Sequence, residues 1–396
     1  MLMNPVVLEW LVIACIVMAA AGCVYALGAA FATRRFGAQR VPVGTGSPGV
    51  TILKPLAGAE AGLYDHLESF CKQAYAGPTQ ILFGVKDATD AAAAIVERLR
   101  AKWPDRDLEL VVDPITHGFN PKVSNLIGMQ RHIRHEIVIL ADSDIAVGPD
   151  YVSTIVAALL RPDVGLVTCL YRGAAHGGVW AQLASMAIDY RFLPDVLVGL
   201  ELGLARPCFG STIALRLSTL QSIGGFEAFA NHLADDNAMG EAVRATGLRV
   251  VMPPYVVVHA CSERTVGELL AHELRWARTL RAVSPMGYAG LVITHPLPFA
   301  LIAAGVCGAE GWATLALGML AMAMIAVSIA CRLVLQFQVD HTLRLSTRRW
   351  SLGPARDMLS FLVYAASFFV SVVSWRGTRY KVRADGTLAS LGKPKR

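Results

Sequence analysis

The sequence predicts an alternating α/β domain with a mostly parallel sheet, carried between apolar segments able to cross a membrane. Three observations lead there. Mean hydropathy is +0.48, and 54% of the 396 residues are hydrophobic against 17% charged, more apolar than an ordinary soluble protein. The apolar residues are bunched, with an uncharged run at 11–31 and further blocks at 291–309, 311–331 and 358–375. Between them, residues 45–285 have normal polarity, and strand-type runs alternate with helical patterns.

Residues 11–31 are long enough to span roughly 30 Å of hydrocarbon as a helix. No Lys or Arg precedes them, so they read as a retained anchor, residues 1–35, rather than a cleaved signal. Arg34, Arg35 and Arg40 follow at once, which places the middle domain on the cytoplasmic side of the cell inner membrane. Residues 286–376 hold the C-terminal membrane segments. The block at 291–309 is broken by His295, Pro296 and Pro298 and suits a kinked or re-entrant segment. A basic tail, 377–396, is expected in the cytoplasm. The net charge of +6 gathers beside apolar segments and suits anionic head groups, not nucleic acid. Eight cysteines form no C-x-x-C pair, so neither a zinc site nor a disulfide framework is indicated.

Within the middle domain, strands are expected at 50–54, 79–85, 108–112 and 137–141, with helices at 63–74, 91–102 and 122–131. In such sheets ligands bind beyond the carboxyl ends of the strands. Asp87 follows the second strand, and Asp142-Ser143-Asp144 follows the fourth. No Walker loop and no G-x-G-x-x-G is present, so a divalent cation held by Asp142 and Asp144 is the expected means of binding phosphate. Asp-Ser-Asp also suits a helix N-cap or turn, but a second strand-end Asp favours a shared site. Downstream, Asp235 and Asp236 open a helix to 245, where acid also complements the helix dipole. An amphipathic helix at 265–283 puts Val266, Leu269, Leu270, Leu274, Ala277 and Leu280 on one face. His272, Arg275, Trp276 and Thr279 lie on the adjacent face.

In order, Lys54-Pro55-Leu56, Val85-Lys86-Asp87, Asn120-Pro121-Lys122, Asp142-Ser143-Asp144, Cys208-Phe209-Gly210, Asp235-Asp236 and Arg275-Trp276 resemble the D, D, D, (Q/R)xxRW pattern of membrane glycosyltransferases with a GT-A domain. The pattern looks most like the ceramide glucosyltransferase family, glycosyltransferase family 21, with its bacterial hopanoid-glycosylating relatives. The likeness covers about residues 45–285 together with the anchor-and-tail layout.

The resemblance implies a GT-A nucleotide-diphospho-sugar transferase fold and an inverting hexosyltransferase. Asp87 would hold the uracil or ribose of a UDP-sugar, and Asp142 and Asp144 would bind diphosphate through Mg2+ or Mn2+. Asp236 would be the general base, and Arg275 and Trp276 would close over the diphosphate and acceptor. Lys54 and Lys122 are additional donor-site residues or ordinary surface lysines. Cys208 and Gly210 lie near the sugar, or Cys208 is a buried structural residue. His272 replaces the family's Gln or Arg, and Asp235-Asp236-Asn237 replaces Glu-Asp-Tyr. These departures turn the expectation toward N-acetylglucosamine transfer from UDP-GlcNAc to a hopanoid polyol, bacteriohopanetetrol. Glucose transfer from UDP-glucose to ceramide is the alternative. A processive polysaccharide synthase and a non-catalytic nucleotide-sugar-binding membrane protein are the further ones.

Overall fold

The computed structural model describes residues 5–41, 44, 46–310, 315–345, 350–369, 372–375, 378–382 and 388–390. Along the chain run α1 (Pro5–Gly37), β1 (Val50–Pro55), α2 (Leu63–Cys71), β2 (Thr79–Val85), α3 (Ala91–Lys102), β3 (Asp107–Val112) and α4 (Pro121–Gln130). Then come β4 (Ile137–Leu140), β5 (Ile145–Ala146), α5 (Tyr151–Leu159), β6 (Val164–Thr168), β7 (Leu170–Ala175) and α6 (Val179–Ala187). A π-helical turn (Ile188–Phe192) leads to α7 (Leu193–Glu201), β8 (Ile213–Arg216), α8 (Leu217–Ser222), α9 (Asp235–Ala245), β9 (Arg249–Val251) and β10 (Val256–Cys261). The chain continues through α10 (Val266–Val283), α11 (Pro285–Gly290), α12 (Pro296–Glu310), α13 (Leu315–Leu343) and α14 (Gly353–Ser367). Three short strands, β11 (Val372–Trp375), β12 (Thr378–Val382) and β13 (Leu388–Ser390), complete it. Two compact units result: an α/β unit of 40–185, 206–266 and 371–396, and a helical unit of 1–39, 186–205 and 267–370.

The α/β unit is organised by a seven-stranded sheet in the order β3-β2-β1-β4-β8-β6-β9. The first four strands are parallel, as the alternating pattern predicts. β8 runs antiparallel to both β4 and β6, so the sheet is mixed. β1 is buried along its whole length, which requires cover on both faces. Successive residues serve the two covers in turn: Ile52, Ile81 and Phe83 pack with α2, α3 and α5, while Leu53, Leu82 and Val138 pack with α4, α8 and α9. A three-stranded sheet, β5-β10-β7, lies beyond β4 and holds the loop between β4 and β5 from its far side. The carboxyl ends of β1, β2 and β4 therefore open on one edge, where Lys54, Asp87 and Asp142 arrive.

Among the described residues, the helical unit contains two helices long and apolar enough to cross a membrane, Val6–Gly37 and Leu315–Leu343. The block expected to kink does so: Pro285–Thr294 and Pro296–Gly308 meet at 59° around His295. Gly22 of α1 sits at that break, where an added Cβ would stand 2.7 Å from the Ile293 carbonyl oxygen. The block at 358–375 is not one apolar helix. α14 starts upstream of it, has 15 residues, about 22 Å, and is followed by β11. Its start brings in Arg356 and Asp357, and Asp357 forms a two-bonded pair with Arg332 of α13 at 2.8 and 3.0 Å. That pairing makes a charged helix start compatible with burial. Of the expected basic tail, 378–382 and 388–390 are strand; the rest lies outside the described residues.

Candidate functional site

The loop after β4 is anchored on all sides. The Ala141 N–H donates to the Leu53 carbonyl at 3.2 Å, and the Ala260 N–H of β10 donates to the Asp144 carbonyl at 3.0 Å. Lys54 donates from beneath to the Asp142 carbonyl and lies 4.0 Å from the centroid of the Phe70 ring. This lysine is fully buried. Burial pulls its pKa down to about 7, although Asp144, Asp142 and Glu60 act in the opposite sense. A donor-site or surface role was expected for Lys54; its burial excludes the surface reading, and its amine bonds to the loop that carries both aspartates.

Lys122 is placed by its helix. Asn120 N-caps α4, accepting from the Lys122 and Val123 N–H groups at 3.0 and 3.2 Å, and Pro121 occupies the first turn. The Lys122 ammonium then lies 2.7 Å from Asp142 Oδ1 and 3.3 Å from Asp235 Oδ2. Burial works to strip its proton, yet Asp142, Asp235 and Asp236 together hold it well above the usual lysine range. Burial also pushes Asp142 up, as does Asp144, while Lys122 opposes them. Asp235 is buried and receives a bond from Asn120 Nδ2 at 3.2 Å, so its carboxylate is tied into the α4 cap.

Asp236 faces the other way. Its Oδ2 accepts from the Gly210 N–H at 2.9 Å and its Oδ1 from the Asn237 N–H at 2.7 Å. Burial and the adjacent Asp235 raise its pKa to about 6, against the pull of Lys122 and the two N–H groups. Gly210 is where these groups converge. A Cβ there would stand 2.7 Å from Lys122 Nζ and 2.8 Å from Asp142 Oδ2, so a larger residue would displace the ends of these two side chains. Cys208 packs on Gly240 of α9 and is buried, which pushes its thiol far up. Of the two readings open for it, the structural one matches this environment.

Asp144 carries the feature that bears most on a cation. Its Oδ2 lies 3.3 Å from His259 Nε2, and its Oδ1 is buried with no hydrogen-bond partner. A buried carboxylate oxygen without a donor is costly unless something positive meets it. Among the described residues, no group of three or more His, Cys, Asp or Glu forms a metal cage by itself. The donor set fits a hard cation that takes one or two carboxylates and completes its shell elsewhere. His259, on β10, was not anticipated; its ring lies 5.6 Å from that of Tyr171 on β7. A lone histidine in a strand carries no spacing signal, and only the β5-β10 pairing brings it to Asp144.

Asp87 is exposed at the end of β2 and accepts from the N–H and the hydroxyl of Thr89, both at 2.8 Å, which hold its carboxyl below the usual range. His272, Arg275 and Trp276 belong to the helical unit, on α10. There the His272 and Trp276 rings meet edge to face at 4.4 Å. The α/β unit thus gathers Lys54, Lys122, Asp142, Asp144, Cys208, Gly210, Asp235 and Asp236, with Asp87 on a neighbouring strand end.

The family model for glycosyl transferase family 21 matches residues 14–388. Ceramide glucosyltransferase 1 of Caenorhabditis elegans is 26% identical over 251 residues, 63% of this chain and 53% of that protein. A ceramide glucosyltransferase of Candida albicans is 33% identical over 108 residues, 24% of this chain and 20% of that protein. The chain spans about half the length of the C. elegans relatives it matches. Among solved structures, the mannosyltransferase PcManGT from Pyrobaculum calidifontis, in complex with GDP-Man and Mn2+, aligns with a TM-score of 0.57 at 22% identity. The alignment covers 91% of this chain and 99% of that one. The likeness shows the fold, a GT-A nucleotide-diphospho-sugar transferase fold.

Proposed function

The chain belongs to glycosyl transferase family 21, and from that premise we propose that it moves one hexose from a UDP-sugar to a lipid hydroxyl with inversion. The observation that carries this reading is the arrangement around Gly210. The Asp142 carboxylate and the Lys122 ammonium lie beside it, its N–H donates to Asp236, whose pKa is raised, and Asp144, two positions after Asp142, has an unmet oxygen.

Asp142 and Asp144, with His259 beside them, are the residues that would hold Mg2+ or Mn2+. Such a cation, when bound, neutralises charge on a leaving diphosphate. Lys122 adds a fixed positive charge next to Asp142, and Arg275 and Trp276 close over the diphosphate. Asp87 holds the nucleoside. Lys54 is a positioning residue, because it acts by keeping the Asp142 carbonyl, and so the whole loop, in register. Asp236 accepts the proton of the acceptor hydroxyl. The acceptor oxygen bonds to the anomeric carbon from the face opposite UDP, the carbon–phosphate-oxygen bond breaks, and UDP leaves with the electron pair. One displacement inverts the anomeric centre, so an α-linked donor yields a β-glycoside. The two apolar helices keep this chemistry at a bilayer, where a lipid offers its hydroxyl while its body stays in hydrocarbon. Arg34, Arg35 and Arg40 support a cytoplasmic face for the α/β unit at the cell inner membrane.

Ceramide stands first as acceptor and UDP-glucose as donor, supported by the ceramide glucosyltransferases among the relatives. A hopanoid polyol receiving N-acetylglucosamine is the second reading, favoured by His272 and by Asp235-Asp236-Asn237 where ceramide enzymes carry other residues. The test supplies membranes containing the protein with labelled UDP-glucose or UDP-GlcNAc and with ceramide, diacylglycerol or a hopanoid polyol. A labelled β-linked ceramide product is expected. A labelled hopanoid alone moves the assignment to the second reading, and no lipid product with any pair defeats both.

A further inference from the structure

Helix α10 has little apolar packing to hold it. Of its eighteen residues only Leu269 is fully buried, so hydrophobic contact leaves its rotation about its own axis weakly determined. An ion pair ties it to α14. Both oxygens of Glu273 accept from Arg356, Oε1 from Nη1 at 2.5 Å and Oε2 from Nη2 at 2.7 Å. The side chains retain 12% and 3% exposure, so the pair is dry. Arg356 is itself oriented by its own helix. Ser360, one turn on, accepts from its Nε and Nη2 at 3.2 and 3.0 Å. The next residue along α14, Asp357, reaches Arg332 of α13. α14 is therefore bonded to a long apolar helix through one residue and to α10 through its neighbour.

We propose that the Glu273–Arg356 pair is the latch that sets how α10 presents Arg275 and Trp276. The proposal rests on the donor-closing role assigned to those two residues above. Trp276 lies three positions after Glu273, on the same side of the helix, and His272 stacks against it. At about 6 Å from a helix axis, a rotation of about 10° moves a side chain by about 1 Å. Displacement of that size in a positioning group costs on the order of a hundredfold in rate. A forked, two-bonded contact resists such rotation in a way that one point charge does not. The Arg281–Ser367 contact ties the far end of α10 to the same helix.

The experiment uses the full chain in lipid nanodiscs. Glu273→Leu with Arg356→Met replaces the pair by apolar side chains of similar volume, a change that commonly preserves folding. Hydrogen exchange across residues 266–283 is expected to accelerate. In the transfer assay kcat should fall about ten- to a hundredfold, with donor KM nearly unchanged. Arg356→Lys keeps the charge and removes the fork, and should lose less; it also serves as the test should the double variant not fold. Wild-type exchange together with wild-type kcat in either variant overturns the latch. Arg275→Ala turning over at the wild-type rate would defeat the donor-closing role instead. The two failures are distinct because exchange is read without turnover.

Discussion

In the helical unit, buried acids meet donors from neighbouring elements. Arg332 meets Asp357, Arg356 meets Glu273, and Tyr190 and Trp350 both donate to Asp340. The α/β unit does the opposite at the edge of its sheet. Asp142, Asp144, Asp235 and Asp236 converge there, with Lys122 between three of them and Lys54 under the loop. Burial pushes the Asp142 and Asp236 carboxyls up, and one oxygen of Asp144 finds no donor. Matched pairs preserve a shape, whereas an acidic surplus leaves charge available to meet a positive ligand. The contrast separates charge kept for architecture from charge kept for chemistry.

The comparison is broken most severely by Asp236→Asn, which should reduce transfer by about 10²–10⁴-fold while UDP-sugar binding, read by calorimetry, persists. Retained turnover would remove Asp236 from the base role. With a pKa of about 6 in the folded protein, the base is charged above that pH. The transfer rate should therefore climb as pH rises through about 6 and then level off, and Asp236→Asn should lose that rise. On the architectural side, Asp357→Asn leaves Arg332 buried and unmatched and should cost about 3–5 kcal/mol, seen as a lowered melting temperature in detergent. An unchanged melting point would mean the helical unit does not depend on its matched pairs.

Gly210→Ala drives a methyl group into Lys122 and Asp142, and should lower the transfer rate about tenfold with about 1 kcal/mol or less of stability lost. A fully active variant would show that the convergence on Gly210 is not needed. The smallest stability effect is the sharpest for the comparison. Asp144→Asn should shift stability by no more than about 0.5 kcal/mol, because it relieves like-charge crowding. The same change should abolish the metal-stimulated part of UDP binding, as EDTA should in the wild type. Large destabilisation, or EDTA-insensitive binding, would put Asp144 among the architectural charges.

Much of the site was legible because chain order and sheet order coincide where it is built. The parallel strands β1, β2 and β4 bring Lys54, Asp87 and Asp142 to one edge, so alternation alone located them. Residues 145–234 offered less. β8 enters antiparallel between β4 and β6, a placement no local period encodes. Lys54 reads as a donor-site or surface lysine in the sequence, and only the fold shows its full burial beneath the Asp142 carbonyl.

The sequence by itself determined which residue types sit at strand ends, where the chain is apolar enough for a bilayer, and that a helix would carry Arg275 and Trp276. Those are local properties, set by period, hydropathy and turn chemistry within a few residues. Tertiary structure alone decided that His259 meets Asp144 across a sequence separation of 115 residues, that Gly210 leaves room for Lys122 and Asp142, and that Glu273 is gripped by Arg356. Each of these joins side chains whose meeting depends on how whole layers pack, and a buried charge takes its partner from whatever the fold brings near it.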